Sequence, residues 1–333
     1  MRIAVTGSIA TDHLMTFPGR FADQLLPDQL DHVSLSFLVD ALDVRRGGVA
    51  ANITFGLGAL GLHPLLVGAV GPDFAAYEVW LKEHGVDTGG VHVSAERQTA
   101  RFMCLTDQDG NQIASFYAGA MQEARDIDLP RLAFTADRPD LVVVCPDDPA
   151  AMVRHTAACR DHQVPFAADP SQQLARLDGD QARELVRGAA WLFTNEYESA
   201  LLGERTGWDR DAILEQTGAW VTTLGAGGVR IERRGLPALT VPAVPDTAVA
   251  DPTGAGDAFR AGFLAGLSRG LCLGAAARLG CVTASAALAT VGPQGYRADL
   301  DDIHTTARRA YGAEAAERIT AALRRTGPPE PPA

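Results

Sequence analysis

The sequence predicts an α/β protein, with a central, mostly parallel sheet, helices on both faces, and a small β-rich insert. Three observations predict it. From about residue 139, short apolar runs alternate with helical stretches, the rhythm of a parallel sheet. Polar residues gather directly after those runs, where such sheets place their ligands. A hairpin signal between 99 and 117 falls outside the alternation.

In chain order, residues 2–7 read as a buried first strand with a glycine exit. Ser8 and Asp12 follow, Asp12 being either a turn residue or a group placed to bind hydroxyls. No G-x-G-x-x-G comes after this strand, which disfavours a nicotinamide-dependent oxidoreductase. Residues 13–45 fit no period and read as part of an inserted element. Arg45-Arg46-Gly47-Gly48-Val49-Ala50-Ala51-Asn52 then runs into an apolar helix ending near Leu60. Gly47 and Gly48 make a flexible turn where backbone can touch a ligand. Asn52 lies near that helix's first turn, as a ligand or simply solvated. Residues 65–70 form a second apolar strand, and Asp73 is expected to cap a helix over 74–84.

Residues 99–106 and 112–117 flank Asp109-Gly110, a hairpin turn. Phe102 and Phe116 are almost equidistant from it and should face each other. Period two puts Gln112 on the same side as Phe116. The rings either pack the hairpin onto the core or sandwich a flat ligand. Later come strands at 140–144, 165–168, 190–194 and 219–223, with helices at 149–162, 180–187, 196–205 and 209–217. Asp169, Gln172, Gln173 and Arg176 follow one strand; Asn195 and Glu198 another; Thr223 and 225–228 a third. A second hairpin turns at Gly235, and helices run to about 323. The large domain is expected from 1–9, 46–96 and 122–325, and the insert from 10–45 and 97–121. The Pro-rich tail 326–333 is expected to be disordered.

The formal charge is 29 − 41 = −12, which argues against nucleic acid and against an anionic membrane surface as partners. Five scattered cysteines without C-x-x-C indicate neither a disulfide framework nor zinc. They read as buried thiols of a reducing cytoplasm. No signal peptide is apparent, and three arginines break the Ala/Gly-rich stretch 258–291. Lys82 is the sole lysine, so a Walker A loop cannot exist.

The richest stretch is Asp251-Pro252-Thr253-Gly254-Ala255-Gly256-Asp257-Ala258-Phe259. Residues 254–257 open an apolar helical run, so their N–H groups lack intrahelical partners and the helix dipole adds positive charge. Small residues let an anion such as phosphate approach. Asp257 is either an ordinary first-turn carboxylate or a base taking the proton of a hydroxyl that attacks phosphorus.

Together these pieces resemble the ribokinase (PfkB) family of carbohydrate and nucleoside kinases. The Gly-Gly-x-Ala-x-Asn block at 47–52 resembles its N-terminal signature, and Asp-Pro-Thr-Gly-Ala-Gly-Asp-Ala-Phe its C-terminal one. Asn195-Glu196-Tyr197-Glu198 is similar to its Asn-x-x-Glu motif. The finer resemblance, at 7–14, 47–50 and 168–174, is to bacterial adenosine kinases. It implies a ribokinase-like Rossmann-type sheet with a β-rich lid, cytoplasmic, phosphorylating the 5′-hydroxyl of adenosine with ATP in purine salvage. Asp257 would be the base, and Gly254, Ala255 and Gly256 the anion hole. Asp12, Gly48 and Asn52 would hold the ribose, with Ser8 and Gly47 nearby. Phe102 and Phe116 would sandwich adenine, with Gln112, Met121, Gln172, Gln173 and Arg176 lining the pocket. Asn195, Thr223, Gly225 and Gly228 would border ATP. Glu198, and more loosely Asp169, would place Mg²⁺ through water. K⁺ would sit near Asp251, Thr253 and the Gly292 loop. A lid edge could pair into a homodimer. Rival readings are a kinase for another nucleoside or sugar, and a non-catalytic ligand sensor on the same scaffold.

Overall fold

A computed structural model describes residues 1–24, 34–135 and 138–325. In chain order its first half contains β1 (Ile3–Thr6), β2 (Ala10–Thr16), α1 (Phe21–Gln24), β3 (Ala41–Gly47), α2 (Val49–Ala59), β4 (Leu65–Val70), α3 (Ala75–Glu83), β5 (Asp87–Val93), β6 (Ala100–Thr106) and β7 (Gln112–Tyr117). Then come α4 (Leu129–Ala133), β8 (Leu141–Val144), α5 (Pro149–Asp161), β9 (Phe166–Ala168), α6 (Gly179–Val186), β10 (Ala189–Asn195), α7 (Glu196–Thr206) and α8 (Arg210–Gln216). The remainder is β11 (Thr217–Thr223), β12 (Val229–Glu232), β13 (Leu239–Val241), α9 (Ala255–Ser268), α10 (Leu273–Leu288), α11 (Leu300–Tyr311) and α12 (Ala313–Leu323). The expected tail at 326–333 and part of the inserted segment, 25–33, lie outside the described residues.

Nine strands form the large sheet in the order β13-β12-β11-β10-β9-β8-β1-β4-β5. Pairing is parallel from β11 to β5, while β12 and β13 run antiparallel at one edge. Both faces are covered, so the inner strands are apolar along their whole length: every residue of β4 and β8 is buried. Val5 and Val143 enter the core beneath α2, α9 and α10, whereas Ala4 and Val142 enter the one beneath α5 and α6. Helices α9 and α10 approach closely because a Cβ on Gly262 would lie 2.9 Å from the Gly280 Cα.

Strand β1 lies between β8 and β4, where the strand order reverses, and ligands of open α/β sheets bind outside such a point. Three residues after β1 the chain enters the smaller sheet, of order β3-β2-β6-β7. It returns through Gly48 directly into α2.

Several local expectations change. The two ends of 13–45 are strand, and Gly47 ends β3 rather than opening a loop. Edge strand β5 has no sequence signal, because Asp-Thr-Gly-Gly-Val-His-Val carries two glycines and no apolar run. Asp73 does not cap α3. Its Oδ1 accepts from the Thr99 amide at 2.9 Å and its Oδ2 from Arg101 at 2.7 Å, tying the base of β6 to the large sheet. All five cysteines are free, and Cys272 is exposed. Among the described residues no helix is long and apolar enough to cross a membrane.

Candidate active site

Gly254 precedes α9 with φ 80°, and a Cβ there would lie 2.3 Å from the Pro293 Cβ. Only glycine suits that backbone and that contact. Ala255, Gly256 and Asp257 make the first turn of α9, where amides lack intrahelical acceptors and face outward with the dipole behind them.

Asp257 lines the cleft above this turn. Burial lifts its carboxyl to about 6, against the pull of Arg260 and a hydrogen bond from Asn52. Asn52 Nδ2 donates to Asp257 Oδ2 at 2.8 Å, and Gln294 Nε2 donates to Asn52 Oδ1 at 2.9 Å. Gln294 Oε1 in turn accepts from Trp80 Nε1 at 3.0 Å, and Gln294 Nε2 also reaches the Tyr77 hydroxyl. Tyr77 donates to the Gly47 carbonyl at 3.0 Å. This relay fixes which way the Asn52 amide points and leaves Asp257 Oδ1 outside it. Asn52 is thus committed to the carboxylate as well as lining the cleft. Gln294, Tyr77 and Trp80 carry no motif that sequence reasoning could have used.

The cleft holds about 1000 Å³ between the two sheets. Ser8, Gly48, Asn52 and Gly254 form its floor, and Asp12, Phe102 and Phe116 its lid side. Phe102 and Phe116 pair directly across β6 and β7, and Asp12 is level with Phe102 on β2. Met121, Gln172, Gln173 and Arg176 close the far wall. Gln112 does not line the cleft. It stands opposite Thr106 at the hairpin's far end, roughly 13 Å along the strand from Phe116. Arg97, Tyr117, Gln122 and Pro146 do line it, and none was marked by the sequence; Thr253, which the sequence placed near K⁺, lines it too.

Burial raises the Asp12 carboxyl to about 6, Arg45 opposing and Asp251 adding to the rise. Gly47 lies against it: a Cβ there would sit 2.9 Å from Asp12 Oδ2. Gly48, at φ 94°, lets β2 and the start of α2 meet, since a Cβ would fall 2.5 Å from the Ser8 carbonyl. Ser8 Oγ accepts from the Val49 amide at 3.0 Å.

Arg45 of β3 reaches across to the loop before α9, its Nη1 2.7 Å from Asp251 Oδ2. That oxygen also accepts from the Gly292 amide at 3.0 Å, and Oδ1 from the Thr253 amide at 2.9 Å. Against the push of burial, these amides and the guanidinium hold Asp251 below the usual carboxylate range. K⁺ does not fit this arrangement, because a guanidinium already faces the carboxylate.

On the neighbouring strand ends, Asn195 and Thr223 stand side by side in register on β10 and β11. Residues 225–227 form a single 3₁₀ turn, and Gly228 leaves it at φ 92°. This group lies beyond the lining of the main cleft. Asn195 and Glu198 make a reciprocal capping box on α7, each bond 2.8 Å. One Glu198 oxygen serves that cap and the other does not. Asp169 is fully buried, its Oδ1 2.6 Å from Arg260 Nη2. Among the described residues no three acidic, histidine or cysteine side chains cluster as a metal cage. Of the two acids expected near Mg²⁺, Glu198 fits a cation held through water; Asp169 gives one oxygen to Arg260 and leaves the other without a hydrogen-bond partner.

Comparison with known proteins agrees with this geometry. The family model for pfkB family carbohydrate kinases matches residues 8–298. The nucleoside kinase of Methanocaldococcus jannaschii is 30% identical over 72% of this chain and 78% of its own length. The nucleoside kinase of Burkholderia thailandensis in complex with inosine superposes with a TM-score of 0.81 at 34% identity, covering 93% of this chain and 98% of that one. The adenosine kinase of Sinorhizobium meliloti shares the fold, with a TM-score of 0.69 at 20% identity over 88% and 95% of the two chains. A sheet with its ligand cleft at the strand reversal, a glycine-lined helix start and a half-buried carboxylate above it thus come with a match over most of the sequence: the chain belongs to the pfkB family of carbohydrate kinases.

Proposed function

We propose that this kinase transfers the terminal phosphoryl group of ATP to the 5′-hydroxyl of a purine nucleoside, with adenosine as the first candidate and AMP as product. The observation that carries the reading is the facing phenylalanine pair over the same cleft that holds Asp257 and the anion hole. Two rings suit a flat base, and Asp12 and the Gly47-Gly48 turn lie where ribose hydroxyls would reach them. Asp257 accepts the hydroxyl proton as the bond to phosphorus forms, while the amides of 255–257 stabilise the transferring group. Asn195, Thr223, Gly225 and Gly228 border the nucleotide. Mg²⁺, which kinases of this family generally use, would be held through water by Glu198 and would neutralise phosphate charge.

A second reading, inosine or another nucleoside, is favoured by Arg176. Arg176 lines the cleft, and a guanidinium offers only donors, which suit the 6-oxo group of hypoxanthine better than the amino group of adenine. The similar Burkholderia thailandensis kinase is described with inosine bound. ADP release from ATP with a panel of nucleosides and free sugars tests both. Ribose or fructose outperforming every nucleoside would refute the purine assignment.

A homodimer through the lid is supported by the open edges of β3 and β7. The lid face turned away from the cleft also exposes Leu42, Val44 and Ile113. Light scattering on the purified chain checks it; a monomer at all concentrations refutes it.

A further inference from the structure

We propose that Arg260 is a positioning residue for phosphoryl transfer. It braces the Gly-Ala-Gly turn from beneath and supplies the positive charge one helical turn from Asp257, with Asp169 as its counter-ion and not a metal ligand. The inference rests on Asp257 being the base.

Arg260 lies one turn beyond Asp257 on α9, its side chain 8% exposed. Such a cation is costly to bury unless it is paired. Its Nη2 meets Asp169 Oδ1 at 2.6 Å, and its guanidinium lies 5.7 Å from the centre of the Phe193 ring. A Cβ on Gly256 would fall 2.9 Å from Nη1. The guanidinium therefore lies directly under the anion-hole turn. Arg260 Nε and Asp169 Oδ2 have no partner in the fold, so the ion pair is not the whole account of the arginine.

Three carboxylates pull on this one cation: Asp169, in contact with it from the end of β9, then Asp257 from its own helix and Glu198 from α7. Around Asp257 itself stand Arg260, Glu198 and the neutral Asn52. Asp257 also acts on Asp169 and on Tyr77, Tyr296 and Cys145, three groups that burial keeps protonated. Arg260 is the cation acting on Asp257, opposing the burial that favours its protonated form. A lysine would keep the charge but not the fork that reaches Asp169 and the turn together.

The test is the pH dependence of kcat/KM for the full-length wild type, Arg260→Gln, Arg260→Lys and Asp169→Asn, with thermal melts and Mg²⁺ titrations on each. Arg260→Gln is expected to move the acid limb upward by about one pH unit or more, because a base without its cation holds its proton harder. Arg260→Lys should keep the limb near wild type with a lower kcat. Asp169→Asn frees the guanidinium for Asp257, so the limb stays or moves down, and the Mg²⁺ requirement is unchanged. A folded Arg260→Gln with the wild-type limb overturns the proposal, as does an Asp169→Asn that needs more Mg²⁺. If Arg260→Gln does not fold, Asp169→Asn decides: an upward limb overturns the proposal and the expected behaviour supports it. A wild type that transfers phosphate without any acid limb instead overturns Asp257 as the base, a separately visible failure.

Discussion

Replacing Asp257 with asparagine should damage catalysis and strengthen the fold, and the structure gives a size for the second. Burial lifts the carboxyl from its ordinary 3.8 to about 6. An acid whose native pKa is raised binds its proton more tightly when folded, so ionising it destabilises the native state. The cost is absent below about pH 4, grows between the two values, and is complete above about pH 6, where it reaches roughly 3 kcal/mol. Asparagine removes the charge, and its amide oxygen can still accept from Asn52 Nδ2, so the relay survives. The variant should therefore melt higher than wild type at pH 7.5 and equally at pH 4. Catalysis should fall by roughly 10²- to 10⁴-fold, the usual worth of a general base. Steady-state ADP release measures that fall, calorimetry checks that nucleoside still binds, and chemical denaturation at the two pH values reads the stability. Turnover within tenfold of wild type would refute the role, and equal stability differences at both pH values would refute the electrostatic account.

The other predictions follow from single contacts. Phe116→Ala should raise the nucleoside KM roughly tenfold to a hundredfold by loss of stacking and leave the ATP KM nearly unchanged. Phe116 is 48% exposed, so its removal should barely move Tm, and equal losses for both substrates would contradict a stacking role. Glu198→Gln keeps the capping box with Asn195 but loses the charge. It should raise the Mg²⁺ needed for half-maximal rate about tenfold or more, and an unchanged titration removes Glu198 from the metal's surroundings. Gly254→Ala forces a Cβ to 2.3 Å from Pro293 at φ 80° and should lower both stability, by about 1–3 kcal/mol, and kcat. Urea melts paired with turnover check it, and wild-type values for both would show that the turn can relax.

The parallel half of the fold was legible because β4, β8 and the strands between β8 and β11 are enclosed on both faces, which leaves plain apolar runs. In the lid only the β6–β7 hairpin was legible, from its Asp109-Gly110 turn; β2 and β3 were not, because one face lines the cleft and the other is covered only in part. Leu42 and Val44 are exposed, so β3 shows no burial pattern to read. Glycine pairs marked where the backbone is crowded, and Gly48 and Gly254 sit at such contacts. Period two placed Gln112 on the face of Phe116 but could not convey that four residues carry it out of reach. Asp169 followed a strand end as a ligand would, and only the fold brings it against Arg260. That arginine was visible three residues after Asp257, yet spacing alone gives no sign that it turns inward.

The hydrogen-bond relay from Asp257 through Asn52, Gln294 and Tyr77 ends on the carbonyl of Gly47, the last residue of a lid strand. The small sheet and the Asp257 carboxylate are therefore tied to each other. A substitution that shifts the end of that strand would also disturb the hydrogen bonding of Asp257, so the two cannot be altered independently.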